Sequence, residues 1–339
     1  MRKVKFVSIL VLLVSLNCFA QKNDSLKISK AQVTSAYPIG SSGMNSIDYS
    51  NNFSFNILYG INGGVNGCEL GALLNYNKGE ARGFQLSGVS NINTGNSEGF
   101  LLSGGSNICM ESANGVLISG LLNYSKQNAK GFQLATANIA VNQFNGLQIG
   151  LFNYAKKLKG VQFGVFNYLG DEEEGLPIGL FSIVKNGHYE LEFTGGDVIY
   201  SNLNYKMGVE KFYTILRVGY SSYKNKPVYS FGFGFGGNIS ITEKQKITID
   251  LSYNQIVFNN KCEDGKYNFL NRADFNYKYN ISEKFSLLIG PSFNFYLTNE
   301  KVDGEYGTLK IPYTIYKDEG TSSKLFIWIG INAGLALKL

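Results

Sequence analysis

Seven times between Gly67 and Tyr168 the chain writes nearly the same phrase: a glycine, a few apolar or amide-bearing residues, a small residue, and a closing asparagine. Gly83-Phe-Gln-Leu-Ser-Gly-Val-Ser-Asn91, Gly115-Val-Leu-Ile-Ser-Gly-Leu-Leu-Asn123 and Gly160-Val-Gln-Phe-Gly-Val-Phe-Asn167 are representative, and a degenerate eighth copy opens at Gly175. The opening glycines lie 14 to 16 residues apart. A fixed short period means one supersecondary unit used over and over, which constrains the architecture before any single residue is weighed. Most copies carry no charge. Lys78, Glu80, Arg82, Glu98, Lys126, Lys130, Lys156, Lys157 and Lys159 fall in the links between them.

From about residue 198 the repeats give way to a strict dyad pattern. Tyr229, Phe231, Phe233 and Phe235 alternate with Ser230, Gly232, Gly234 and Gly236, and Ile247, Ile249, Leu251 and Tyr253 alternate with Thr248, Asp250, Ser252 and Asn254. Alternation of this kind predicts strands with one apolar and one polar face. The runs reach about 10 to 14 residues, longer than the strands of soluble sandwiches. Arg272, Asp274 and Lys278 sit mid-strand opposite aromatics, as expected where the far face lines a lumen. In hydrocarbon every backbone donor and acceptor needs an internal partner, so such strands must close into a barrel. Links at 210–211, 223–227, 242–245, 259–266, 281–284 and 299–323 alternate between short and longer, which suits a barrel with short periplasmic turns and long outer loops. Residues 308–316 also alternate but are assigned to the long outer loop, because counting them as a membrane strand breaks the parity.

On these residues the chain resembles bacterial outer-membrane β-barrel proteins. Asn332, Gly334, Leu337 and Leu339 look like the C-terminal assembly signal of that class, with leucine where phenylalanine is commoner. The repeats are similar to the glycine-glutamine-glycine-asparagine surface repeats of exported Bacteroidota and spirochaete proteins. The resemblance implies outer-membrane lipid and the barrel-assembly machinery as partners, and no activity.

Two architectures compete within the all-β class. Each repeat holds about nine or ten residues, enough for a tilted strand to cross the hydrocarbon, and Tyr76, Tyr124, Tyr154 and Tyr168 would form an aromatic girdle. The leading expectation is therefore one transmembrane antiparallel β-barrel of about 16 strands, with the repeats supplying roughly half. The alternative is an N-terminal β-solenoid, one coil per repeat with stacked asparagines, followed by an eight-stranded C-terminal barrel that gains its extra strand at 188–195. Uniform links favour the solenoid, since a meander presents alternate strands upside down.

The N-terminus reads as an export signal: Arg2, Lys3 and Lys5, then apolar Phe6 to Leu16, then a cleavage point after Ala20. Lipidation at Cys18 is disfavoured by Asn17 before it. Residues 1–20 are thus a signal peptide, 21–52 a lead-in, 53–187 the repeat region and 188–339 the barrel strands. Removing the signal takes away three positive charges, so the net charge falls from +6 to +3, too small a basic excess to argue for nucleic acid. Cys68, Cys109 and Cys262 are too few and too scattered for a disulfide framework.

The candidate chemistry is sparse. A single histidine, His188, excludes a histidine-rich metal cage and leaves no redundancy for a catalytic triad. Gly232-Phe-Gly-Phe-Gly-Gly237 matches the dinucleotide fingerprint in form but lacks the helix that must follow it. The acidic run at Asp171 to Glu174 and the Glu263-Asp264-Gly265 turn read as solvated links. Arg217, Asp250, Arg272, Asp274 and Lys278, with Glu190 and Glu192, are expected to face the lumen and pair there. The sequence thus points to a non-enzymatic outer-membrane protein with no cofactor or metal. It would be a passive pore or structural surface scaffold, or alternatively a surface adhesin that uses the repeats to bind a ligand. The solute or surface ligand is not encoded in any motif.

Overall fold

The structure is a computed structural model that describes residues 26–171, 175–259, 265–320 and 322–339. The segment expected to be an export signal, Cys18, most of the Asp171 to Glu174 run, and Cys262-Glu263-Asp264 lie outside the described residues. The chain is all-β, built as a parallel β-solenoid of about eight turns followed by a closed eight-stranded antiparallel barrel.

The single barrel of about 16 strands does not form. Gly83 pairs with Gly99 and Asn91 with Asn107, both parallel and in register. The reason lies inside the phrase. Ser-Gly-Val or Ser-Gly-Leu at its middle is a corner, so the early copies make two short strands, such as Ala113–Ser119 and Leu122–Ser125, while in the last coils the strand runs on through the phrase, as in Phe152–Leu169. Each coil therefore has two faces and two edges, and like residues stack on like. The opening glycines are required: Gly99 has φ +120°, and a Cβ there would lie 2.1 Å from the Gly83 carbonyl oxygen.

The interior of the stack sets buried amide ladders beside apolar fillers such as Leu101, Leu117, Phe144 and Leu158. Asn56, Asn75, Asn91, Asn107, Asn123, Asn138, Asn153 and Asn167 form a ladder in which each Nδ2 donates to the next Oδ1 at 2.8–3.0 Å. A second buried column runs Asn62, Asn77, Asn93, Cys109, Ser125, Ala140, Ala155, with Leu169 and Val184 completing it. It changes from amide to aliphatic along the stack. Cys109 is a free thiol and one step in this column, an apolar filler whose burial pushes its pKa up to about 11. Cys68 is also free. The lead-in closes the far end: Lys27–Ser29 pairs with Tyr49 to Asn51, and Gln32–Ala36 with Ser54 to Tyr59.

The barrel strands are His188–Gly196, Ser201–Val209, Phe212–Tyr223, Lys226–Ser240, Gln245–Phe258, Asn268–Asn280, Phe285–Thr298 and Lys324–Lys338. Each pairs antiparallel with the next, and Glu190↔Lys338 through Gly196↔Asn332 closes the ring. Links 210–211, 241–244 and 281–284 lie at one rim; links 197–200, 224–225, 259–267 and 299–323 lie at the other. In the last of these, Tyr316–Glu319 is a short strand against Lys324 to Ile327, and residues 310–315 form no strand.

The two parts meet at the short-turn rim. The last coil packs on Met207, Val209 and Thr214, which alternate away from the lumen yet are buried. Thr214 Oγ1 donates to the Gly179 carbonyl at 2.6 Å, and Tyr189 OH bonds both backbone groups of Val184 at 2.8 and 2.9 Å. Val209 and Phe212 continue the aliphatic end of the stack, against Leu158, Leu169 and Val184. The stack thus ends on the outer side of the barrel wall and not across its mouth.

Candidate functional site

Strand alternation decides which side chains enter the barrel. Inward positions carry Glu190 and Glu192, then Asn202, Asn204 and Lys206, then Tyr213 and Arg217, then Asp250, Ser252 and Asn254, then Arg272, Asp274, Asn276 and Lys278. All are buried. Outward positions carry Phe193, Leu203, Val218, Phe231, Leu251 and Leu335, each more than 40 % exposed. Polarity is inverted relative to a globular protein, where apolar groups fill the inside.

The lumen is filled in layers. Nearest the short-turn rim, Lys206 Nζ donates to Glu192 Oε1 and Asp250 Oδ2, both at 2.7 Å, while Tyr213 OH donates to Asp250 Oδ1 at 2.7 Å. Lys278 pairs with Glu190 in the same region. His188 is buried there against the Tyr213 ring, with centroids 5.0 Å apart. In the middle, Arg217 Nη2 and Arg272 Nη2 both donate to Asp274, at 2.9 and 3.0 Å. Arg217 Nε also reaches Asn204 Oδ1 at 2.8 Å, and Ser292 donates its hydroxyl to Asp274. Four cations (Lys206, Arg217, Arg272, Lys278) thus meet four carboxylates (Glu190, Glu192, Asp250, Asp274). Charges taken out of water need such pairing.

Toward the long-loop rim the filling turns apolar: Ile199, Val228, Ile256, Leu270, Tyr296 and Trp328, covered by Val302 and Leu309 of the 299–323 segment. Asn268 Nδ2 donates to Thr308 Oγ1 at 2.8 Å, tying that segment down, and Trp328 Nε1 donates to Asp197 Oδ2 of the 197–200 link at 2.7 Å.

The glycines of the fingerprint-like run make room for this core. Strand Lys226–Ser240 runs through them with no helix following, and a Cβ at Gly236 would lie 2.2 Å from Asp250 Oδ1. The run serves packing, and no phosphate cradle is built.

Arg217, Asp250, Arg272, Asp274 and Lys278 therefore all face the lumen, and the structure joins Arg217, Arg272 and Asp274 into one cluster and Asp250 and Lys278 into neighbouring ones. Lys206, which holds two carboxylates at once, is absent from the sequence-based set. The alternation of Asn202, Asn204 and Lys206 against Leu203 and Tyr205 was the available signal. The Asn332 to Leu339 segment forms the closing seam: Asn332 and Gly334 face inward, Leu337 pairs with Leu191 and Phe285, and Leu339 N–H donates to the Tyr189 carbonyl at 3.0 Å.

A second site escaped the sequence entirely. Glu69 is fully buried in the first coils, and its carboxylate is held by amides. Oε1 accepts from Asn56 and Asn62 at 3.1 and 2.7 Å, and Oε2 from Asn77 and Gln85 at 2.7 Å each. Burial raises its carboxyl above the ordinary value, and the four amides pull it partly back. Among the described residues no group of three or more His, Cys, Asp or Glu side chains could hold a metal ion.

No protein-family model, curated protein or solved structure matches this chain.

Proposed function

We propose that the chain is an integral protein of a Gram-negative outer membrane whose barrel is a closed structural anchor, non-enzymatic, that carries the solenoid as a scaffold. One observation carries this reading: a closed sheet with a continuous aromatic and aliphatic exterior around an interior of paired charges. In water that exterior is an aggregation hazard, whereas in hydrocarbon it is the stable arrangement. The same filling argues against a passive pore. Eight-stranded barrels have interiors just wide enough for side chains to fill, and here ion pairs, aromatics and the folded-in outer segment occupy successive layers.

The partners under this reading are outer-membrane lipid and the barrel-assembly machinery, the latter meeting the seam strand of Asn332, Gly334, Leu337 and Leu339. Long links at one rim put that rim outside the cell. The solenoid, attached at the opposite rim, then belongs to the periplasmic side, which disfavours the surface-adhesin alternative.

The protein should resist carbonate extraction, dissolve in detergent and migrate faster on gels when unheated. In planar lipid bilayers it should give no discrete conductance steps. Steps from the purified protein would restore the pore, and release by carbonate would remove the anchor. Cleavage of the repeats by protease on intact cells would favour the external binding module.

A further inference from the structure

The solenoid, like the barrel, exposes many apolar side chains, and its outer surface is sorted by edge. One edge holds the charges: Lys78, Glu80 and Arg82 in one link, Lys126 and Lys130 in another, Lys156, Lys157 and Lys159 in a third. Glu80 and Glu98 both pair with Arg82 there. The opposite edge, made of the corners inside each phrase, carries none. Leu73, Val89, Leu121, Leu151 and Leu180 stand at these corners, exposed by 47, 52, 66, 52 and 38 %.

Both faces beside that edge are apolar as well. Phe84 stacks on Phe100 on one, and Phe152, Phe166 and Phe181 stack in succession on the other at 5.2 and 5.1 Å. Such a continuous apolar strip needs a cover.

We infer that this uncharged edge is inserted among lipid acyl chains, in the leaflet on the barrel's short-turn side, with the charged edge at the headgroups. The inference rests on the membrane-anchor reading above, and three features of the stack select lipid as the cover. The first is continuity: the last coil docks on the outer barrel wall at Met207, Val209 and Thr214, so its apolar columns run up to the wall's own lipid-facing side chains.

The second is backbone saturation, the condition for entering hydrocarbon. At the uncharged corners the N–H groups donate from coil to coil: Gly105 to Val89, Leu121 to Gly105, Ala137 to Leu121 and Phe152 to Thr136, at 2.8–3.0 Å. The ladder asparagines take corner carbonyls from inside; Asn91 Nδ2, for example, reaches the Leu102 oxygen at 2.9 Å. Corners bonded in this way meet the condition that hydrocarbon sets.

The third is depth. From Gly115 to the corner at Gly120 the strand advances five residues, about 16 Å at ~3.3 Å each. One leaflet supplies about half of the ~30 Å hydrocarbon core. The strip is as deep as one leaflet and too shallow to span both.

Tryptophan scanning in vesicles of mid-chain brominated phosphatidylcholine tests this with the full-length protein. Leu121→Trp and Leu151→Trp report on the uncharged edge, Lys126→Trp on the charged edge, and Phe231→Trp on the barrel exterior; native Trp328 is buried in the lumen and gives a constant background. Bromine should remove most of the added emission from Leu121→Trp, Leu151→Trp and Phe231→Trp, and leave that of Lys126→Trp. If only Phe231→Trp is quenched, the inserted solenoid is refuted while the anchor stands. If none is quenched, both fall. Unquenched but blue-shifted emission at Leu121→Trp, with doubled mass in detergent, would show that a second copy covers the edge and would equally overturn the proposal.

Discussion

Barrel and solenoid both turn their polar side chains inward, but they satisfy them by different means. Across the barrel's antiparallel strands unlike residues converge, so a lysine can find a carboxylate: Lys206 reaches Glu192 on the neighbouring strand and Asp250 across the lumen. In the stack each interior position repeats itself one coil away. A charge placed there would face its own copy, and like charges held close repel. A primary amide carries a donor and an acceptor and can bond to another of its kind indefinitely. That is why the polar part of the stack's interior is mostly asparagine and glutamine, beside fillers such as Leu101 and Leu117, while the polar part of the barrel's interior includes paired ions. Glu69 is the exception that fits the rule, because it occurs once, between Ser54 and Gln85 in its column, and amides supply all four of its donors.

The largest expected effect breaks the stack and spares the barrel. Gly115 has φ +127°, and a Cβ there would lie 2.0 Å from the Gly99 oxygen. Gly115→Val should cost more than about 3 kcal/mol, as strained backbone and overpacking combine. Limited proteolysis should then degrade the repeats while the barrel keeps its faster migration on unheated gels. Joint loss of both would show that they fold as one unit.

Next comes the barrel's ionic core. Lys206→Met leaves Glu192 and Asp250 buried without their cation and should destabilise by about 3–5 kcal/mol, read from the urea midpoint in detergent. Adding Glu192→Gln and Asp250→Asn should restore most of the loss. Failure of the triple variant to recover would mean that Lys206 acts through packing.

The smallest effect concerns Glu69 and depends on pH. Its folded pKa is raised, so the folded state holds the proton more tightly than the unfolded chain. The resulting stability is fully present below the ordinary carboxylate value of 4.5 and is lost as pH rises through the folded value. Glu69→Gln should therefore be the more stable protein at neutral pH, with the gap closing in acid. Thermal melts of both proteins from pH 4 to 8 measure this; a gap independent of pH would remove the buried charge as its cause.

The barrel half was legible because period-two alternation survives any register. It placed Arg217, Asp250, Arg272, Asp274 and Lys278 inside, and it found the strand near His188 that completes the ring. Which ion meets which was not legible, since Arg217 and Asp274 lie on strands that are not neighbours, and only closure brings them together. In the repeats the unit was legible and its direction was not. A phrase as long as Gly83 to Asn91 suits a membrane strand until Gly88-Val89 is recognised as a corner. Glu69 left no signal, because its partners come from three separate strands, Asn56 and Asn62 from Tyr49–Asn62, Asn77 from Leu74–Asn77 and Gln85 from Ala81–Ser87.

The junction at Thr214 and Val209 involves the last coils of the stack, and the middle coils from Ala81 to Leu134 pair with their neighbours in unbroken register. A nearest-neighbour array of this kind tolerates changes in its number of units. Excising one full period, for instance 99–114, would rejoin Glu98 to Gly115 with each amide rung and glycine rung intact. The molecule is thereby a ruler whose length can be reset by duplication or deletion of a single segment, while its seat on the barrel stays as it was.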